Sequence, residues 1–174
     1  MKLSDAPTTR AEIEIHASAQ EVWQIVTDLQ IPALTSAEFQ GAEWLDGVTE
    51  PVLGARFVGR NAHEAIGAWE TTCVVSVVDE PHEFAYIVGD HESPGAVWRY
   101  LIEPYDGGRS VMLKQIAQIG PGPSGLTPAI ERMPEKEARI IERRLGEHHA
   151  NMTANLAEIK KLAESGRQAG PTVR

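Results

Sequence analysis

The sequence predicts an α+β fold: a seven-stranded antiparallel sheet curved around one long C-terminal helix, with two short helices after the first strand. Three observations predict it. An alternating segment, Ala11 to His16, runs straight into a helix-capping signal. Six further strand-like runs then follow one another through short turns, which favours antiparallel neighbours. From Pro134 onward, apolar residues recur at three- and four-residue steps as far as Ala163.

Each element has its own signal. Ile13 and Ile15 alternate with Glu12 and Glu14, as in a half-buried strand. Ser18-Ala19-Gln20-Glu21 reads as a capping box, and Val22, Ile25, Val26 and Leu29 form the stripe of the helix behind it. Pro32 ends that helix or starts a second short turn. Strands are predicted at 37–45, closed by Asp46-Gly47, at 55–62, entered through Gly54, and at 67–78. Asp79-Glu80-Pro81 turns the chain into a strand at 83–88, and a polar loop with Pro94 and Gly95 leads to one at 97–103. Pro104-Tyr105-Asp106-Gly107-Gly108 is a hairpin signal, and 110–119 returns from it.

Gly120 to Gly125 alternates Gly and Pro and reads as a surface loop or lid. In the last helix, Pro134 suits the first turn, Glu135 and Glu137 favour its positive end, and Gly166 marks the exit. Its stripe is Ala138, Ile141, Leu145, His148, Met152, Leu156, Ile159 and Ala163. Residues 11–165 thus form a single domain, between a flexible N-terminus of residues 1–10 and a flexible tail of residues 166–174.

Composition narrows the function. A chain of 174 residues supports one well-buried core, and an apolar fraction of 42% is that of a globular, not a disordered, chain. The formal charge of −9 disfavours nucleic acid and anionic membrane as partners. Cys73 is the sole cysteine, so no intrachain disulfide and no thiolate-rich metal site can form. No signal peptide and no bilayer-spanning run is present, and a cytoplasmic location without stable membrane association is expected.

Alternation assigns the strand faces. Trp69, Thr71, Cys73, Val75 and Val77 share one face of their strand, Phe84, Tyr86 and Val88 one face of theirs, and Trp98, Tyr100 and Ile102 one face of theirs. Phe57, Gly59 and Asn61 lie opposite Arg56 and Arg60. Trp44, Phe57, Trp69, Tyr86, Trp98 and Tyr100 make the inner set rich in aromatics. They form either a filled core or the wall of a partly open cavity, and a concave sheet gripping one helix favours the cavity.

Several stretches, in order, carry a family resemblance. They are Ile13 to Trp23, Gly54 to Asn61, Trp69-Glu70-Thr71, Trp98 to Pro104 with Asp106 to Val111, and the late helix with Met152, Leu156 and Ile159. Across residues 11–164 the chain resembles the START-like, or Bet v 1-like, superfamily (SRPBCC), in its polyketide cyclase/dehydrase-like branch. The resemblance implies the helix-grip fold, with a cavity between sheet and C-terminal helix. Members bind lipids, sterols, polyketides or hormones there, and some catalyse cyclisation or dehydration.

Candidate ligand-binding residues are Trp44, Phe57, Asn61, Trp69, Tyr86, Trp98 and Tyr100 on the sheet. On the helix they are Leu145, His148, His149 and Met152. His148, His149 and Tyr86 are the candidates for acid/base work. The bland alternative makes His148 a satisfied packing residue and His149 a solvated one. No metal site and no cofactor is expected: the histidines lack ligand spacing, and Gly-x-Ser-x-Gly, phosphate-loop and dinucleotide motifs are absent. Three functions remain open: binding of a small hydrophobic or aromatic ligand, a polyketide cyclase or dehydratase activity, and a regulatory protein-interaction module with a vestigial pocket. A homodimer is compatible with each.

Overall fold

The structure, a computed structural model, describes residues 1–64 and 67–165. Seven strands form one antiparallel sheet: β1 (Thr8–Ile15), β2 (Phe39–Trp44), β3 (Arg56–His63), β4 (Gly67–Asp79), β5 (Glu83–Gly89), β6 (Pro94–Tyr105) and β7 (Ser110–Ile119). Their order is β1-β7-β6-β5-β4-β3-β2. The first and second strands thus become opposite edges, and everything from β2 to β7 is a meander. The helices are α1 (Ala19–Val26), α2 (Thr127–Arg132) and α3 (Glu137–Ser165), with a 3-10 turn at Ile31–Leu34. This is the helix-grip arrangement the sequence predicts.

Ser18 caps α1 as expected: its hydroxyl accepts from the Glu21 backbone N–H, and the Glu21 carboxylate accepts from the Ser18 N–H. Val22, Trp23 and Val26 on that helix are buried in the core. Helix α3 lies along β1 and also protects it. Lys160 Nζ donates to the Glu14 carbonyl at 2.7 Å, and the Glu164 carboxylate accepts from the His16 N–H at 2.9 Å. At the far edge, Gln30 Nε2 donates to the Ala42 carbonyl of β2. Each edge strand therefore has a backbone carbonyl taken up by a side chain, Glu14 in β1 and Ala42 in β2.

The structure corrects four expectations. β1 begins at Thr8, and Leu3 donates its N–H to Glu137, so residues 1–10 are tied to sheet and helix instead of loose. Polar residues can extend β1 there because the register with β7 continues to Gln118. A bulge between Val75 and Val77 reverses the alternation of β4, so Val78, not Val77, packs on the core. β6 starts at Pro94, because Gly120 and Gly122 donate to the carbonyls of Gly95 and Pro94 at 2.8 and 2.9 Å. The Gly/Pro segment 120–125 is thereby stitched to β6 and is not a free lid. Finally, α2 occupies residues between that segment and Pro134 that carry no periodic signal. The predicted exit at Gly166 and the tail 166–174 lie outside the described residues.

Candidate functional site

Register decides which side chains meet on the concave face. One cross-strand row is Trp44, Phe57, Cys73 and Val88; the next is Val75, Tyr86, Trp98 and Ala117; the third is Val78, Phe84, Tyr100 and Gln115. Edge-to-face contacts link these rings, with Trp44 to Phe57 at 5.5 Å and Phe57 to Tyr86 at 5.0 Å. Tyr86 continues to Phe84 at 6.0 Å, and Phe84 to Trp23 of α1 at 6.2 Å.

The interior is tighter than its aromatic content predicts. Phe57, Cys73, Tyr100 and Met152 are no more than 3% exposed, so the deep part of the expected cavity is filled by side chains. Burial pushes the Cys73 thiol up to about 12, which keeps it un-ionised and inert. There are two open grooves, the larger of about 620 Å³ between α1 and the β2 edge and the smaller of about 290 Å³ beside the start of α3. The larger is lined by Gln24, Asp28, Gln30, Glu43 and Trp44, and neither touches Tyr86, Trp98 or His148.

Partial exposure persists where the N-terminal half of α3 meets β6. Trp98, Tyr86 and His148 are half-buried, as are Asn61, Trp69 and Leu145. Trp69 and Leu145 do not join the core cluster, and Asn61 pairs in register between Phe39 and Trp69 toward the strand end. Tyr86 is crowded by protein on all sides yet keeps accessible surface. Burial raises its phenol well above the ordinary value, so it stays protonated.

His148 stands over Trp98, ring centroids 4.9 Å apart. Burial first, and the Arg144 guanidinium second, lower the His148 imidazole to about 4, so it is neutral near pH 7. Among the described residues, neither His148 nor the Tyr86 hydroxyl has a hydrogen-bond partner. His149 is corrected: it is exposed, and its Nδ1 lies 2.9 Å from the Arg10 carbonyl, to which its N–H donates. Adjacent helical positions diverge by about 100°, so only one of the two histidines can face the sheet.

Deeper along the same surfaces lies a polar group that the sequence reading passes over. Gln115 Nε2 and Asn155 Nδ2 both donate to the Tyr100 hydroxyl, at 3.0 and 2.9 Å. Asn155 Nδ2 also donates to Gln115 Oε1 at 3.1 Å. Two signals could have found it. Asn155 lies seven residues, about two turns, beyond His148 on the apolar stripe, and Gln115 alternates with Leu113 and Ala117. A second missed pair, Arg144 and Glu38, ties α3 to the segment before β2 through contacts of 2.6 and 2.9 Å.

Residues 6–164 match the family described as polyketide cyclase / dehydrase and lipid transport. The chain belongs to that family. Membership supports a ligand-binding or cyclase role, and the helix-grip fold is shared by solved structures. The polyketide-cyclase-like protein Cgl2372 from Corynebacterium glutamicum is 24% identical, with a TM-score of 0.66, 96% of this chain and 97% of that one being covered. The di-domain aromatase/cyclase BexL, of the BE-7585A biosynthetic pathway, is 18% identical with a TM-score of 0.64. StfQ, a di-domain aromatase/cyclase of steffimycin biosynthesis, is 16% identical, also with a TM-score of 0.64. The matches cover 97% and 93% of this chain but 53% and 52% of theirs, so this chain corresponds to about half of each. No curated protein matches the chain. Among the described residues, no helix is long and apolar enough to cross a membrane, and no three His, Cys, Asp or Glu side chains are grouped to hold a metal ion.

Proposed function

We propose that this family member binds a small hydrophobic or aromatic ligand in the cleft between the sheet and the N-terminal half of α3. One observation carries the reading: His148 stands over Trp98 and Tyr86 pairs with Trp98 in register, both half-buried, and the polar atoms of their side chains have no hydrogen-bond partner among the described residues. Such groups are costly when buried and unpaired, and a ligand that supplies their partners removes the cost. Trp98, Tyr86 and Phe57 offer ring faces and edges to a flat ligand, while Trp69, Asn61 and Leu145 flank the entry. Because the deep interior is packed, the ligand enters by displacing side chains, as cryptic pockets require.

Native mass spectrometry of the purified protein tests this. A non-covalent organic adduct that is lost on denaturation is expected. Absence of any adduct, together with unchanged tryptophan fluorescence on titration with 2-naphthol, would sink the reading and leave the packed-pocket interaction module in its place.

A cyclase or dehydratase activity is the second reading, and the neutral His148 favours it. The imidazole, unprotonated at pH 7, stands over Trp98, and Trp98 pairs in register with Tyr86, whose phenol is protonated. A substrate reaching both can lose a carbon-bound proton to the imidazole while the phenol donates to its carbonyl oxygen. In that case His148→Gln lowers turnover of a polyketide-like carbonyl substrate far more than it lowers binding. Equal losses in both would leave His148 a binding residue.

A further inference from the structure

The Tyr100–Gln115–Asn155 group leaves one position unfilled. Asn155 is 4% exposed, and its Oδ1 is buried with no hydrogen-bond partner. Tyr100 Oη accepts two N–H groups, and its own O–H meets no acceptor among the described residues. Reversing the amides of Asn155 and Gln115 does not cure this. Asn155 Oδ1 would then accept from Tyr100 and Gln115, but its Nδ2 would be stranded in the same place. Either way one buried end of the Asn155 amide lacks a partner, which is unfavourable away from water.

The unpaired end of the Asn155 amide lies along the same surfaces as His148 and Trp98. Met152 and Asn155 follow His148 by four and seven residues, on one face of α3, and Tyr100 follows Trp98 by two on one face of β6. Met152, 1% exposed, lies between the two levels, and its thioether chain is of the kind that repacks readily.

We propose that Asn155 and Tyr100 form a polar anchor for a ligand hydroxyl: the ligand O–H donates to Asn155 Oδ1 and its oxygen accepts from Tyr100 O–H. The inference rests on the cleft-binding reading and names its ligand class, an apolar ring-bearing alcohol or phenol. A carboxylate is disfavoured, since the three anchor residues include no cation and a buried unpaired charge is far more costly than a hydroxyl.

The test compares 2-naphthol, naphthalene and 2-naphthoate by calorimetry, with side-chain amide NMR of the unmutated protein. Naphthol is expected to bind at least about 10-fold more tightly than naphthalene, the equivalent of one good hydrogen bond. It should move the Asn155 Nδ2 resonances where naphthalene does not, and naphthoate should bind most weakly. Asn155→Leu should erase the naphthol margin while naphthalene still binds. Equal binding of naphthol and naphthalene, with the Asn155 amide unmoved, overturns the anchor and leaves the cleft reading standing. So does a crystal structure with only a water at Asn155 and the hydroxyl elsewhere. If none of the three compounds binds, both readings fall. The NMR readout does not depend on the variant folding.

Discussion

The imidazole of His148 meets the indole of Trp98 edge to face, with planes at 80° and centroids 4.9 Å apart. This contact joins α3 to β6. Two effects compete for the imidazole's charge. A cation over an indole gains about 0.5–2 kcal/mol. Burial and the neighbouring Arg144 act the other way and take the pKa from 6.5 to about 4, equivalent to about 3 kcal/mol at 1.36 kcal/mol per pH unit. Burial wins, and the ring stays neutral.

The sign of the resulting pH dependence follows. Between pH 6.5 and about 4 the unfolded chain binds a proton at His148 and the folded chain does not. Stability contributed by the neutral ring is therefore complete above pH 6.5 and is lost as pH falls toward 4. Urea midpoints measured across that window should fall in the unmutated protein and fall by up to about 3 kcal/mol less in His148→Phe. The carboxylates with lowered values, such as Glu147 and Glu164, act only below about 4.5, so the upper part of the window isolates His148. Parallel curves for the two proteins would show that His148 is solvated.

Tyr100→Phe removes the acceptor of Gln115 Nε2 and one of the two acceptors of Asn155 Nδ2, which keeps its bond to Gln115 Oε1. Leaving the buried Gln115 amide without its acceptor should cost about 1–3 kcal/mol, despite the near-identical ring volume. Adding Asn155→Leu to Tyr100→Phe should cost less than the sum of the two single changes, since each removes part of one network. Additive losses in urea denaturation would mean that the three side chains do not act together.

The fold was legible because its signals are local and repeated: the capping box at Ser18, the alternation of strands, and the long stripe of α3. The bulge in β4 was not, since nothing in Val74 to Val78 marks which residue is the extra one. Half of the proposed site was legible for the same reason. Trp98, Tyr86 and His148 stand out on faces defined by period, but choosing between His148 and His149 needed the backbone of β1, which takes up His149 through Arg10. The tightness of the interior was invisible, because composition reports aromatic volume and not how rings interlock. Asn155 escaped for a different reason. A polar residue on an apolar stripe invites attention only when its partners are known, and Tyr100 and Gln115 are 55 and 40 residues away in sequence.

Arg144 and Glu38 close the same end of the molecule with a two-pronged contact whose side chains are only 25% and 18% exposed. Glu38→Gln should lower stability by about 1–3 kcal/mol, more than an exposed pair such as Arg56–Asp46 would. The same change should lower the His148 pKa further, since the Glu38 charge holds it up and the Arg144 charge pushes it down. An NMR titration of His148 in Glu38→Gln reads this directly. An upward shift would mean that the ion pair does not act on the ring.

Two glycines should respond to alanine with opposite signs. A Cβ on Gly122 would stand 1.9 Å from the Ser93 carbonyl oxygen and 2.6 Å from its carbon, both backbone atoms. The segment cannot yield without breaking the bonds from Gly120 and Gly122 to the start of β6, so Gly122→Ala should cost about 1–3 kcal/mol or more. Gly146 lies within α3, and a Cβ there meets no atom within 4 Å. Alanine at that position only restricts the unfolded chain and favours the helix, so Gly146→Ala should add about 0.5–1 kcal/mol. Thermal midpoints should therefore move down for the first and up for the second. A neutral Gly122→Ala would reveal the Gly/Pro segment as a flap detached from β6, and a destabilising Gly146→Ala would mean that α3 is not a continuous helix at its midpoint.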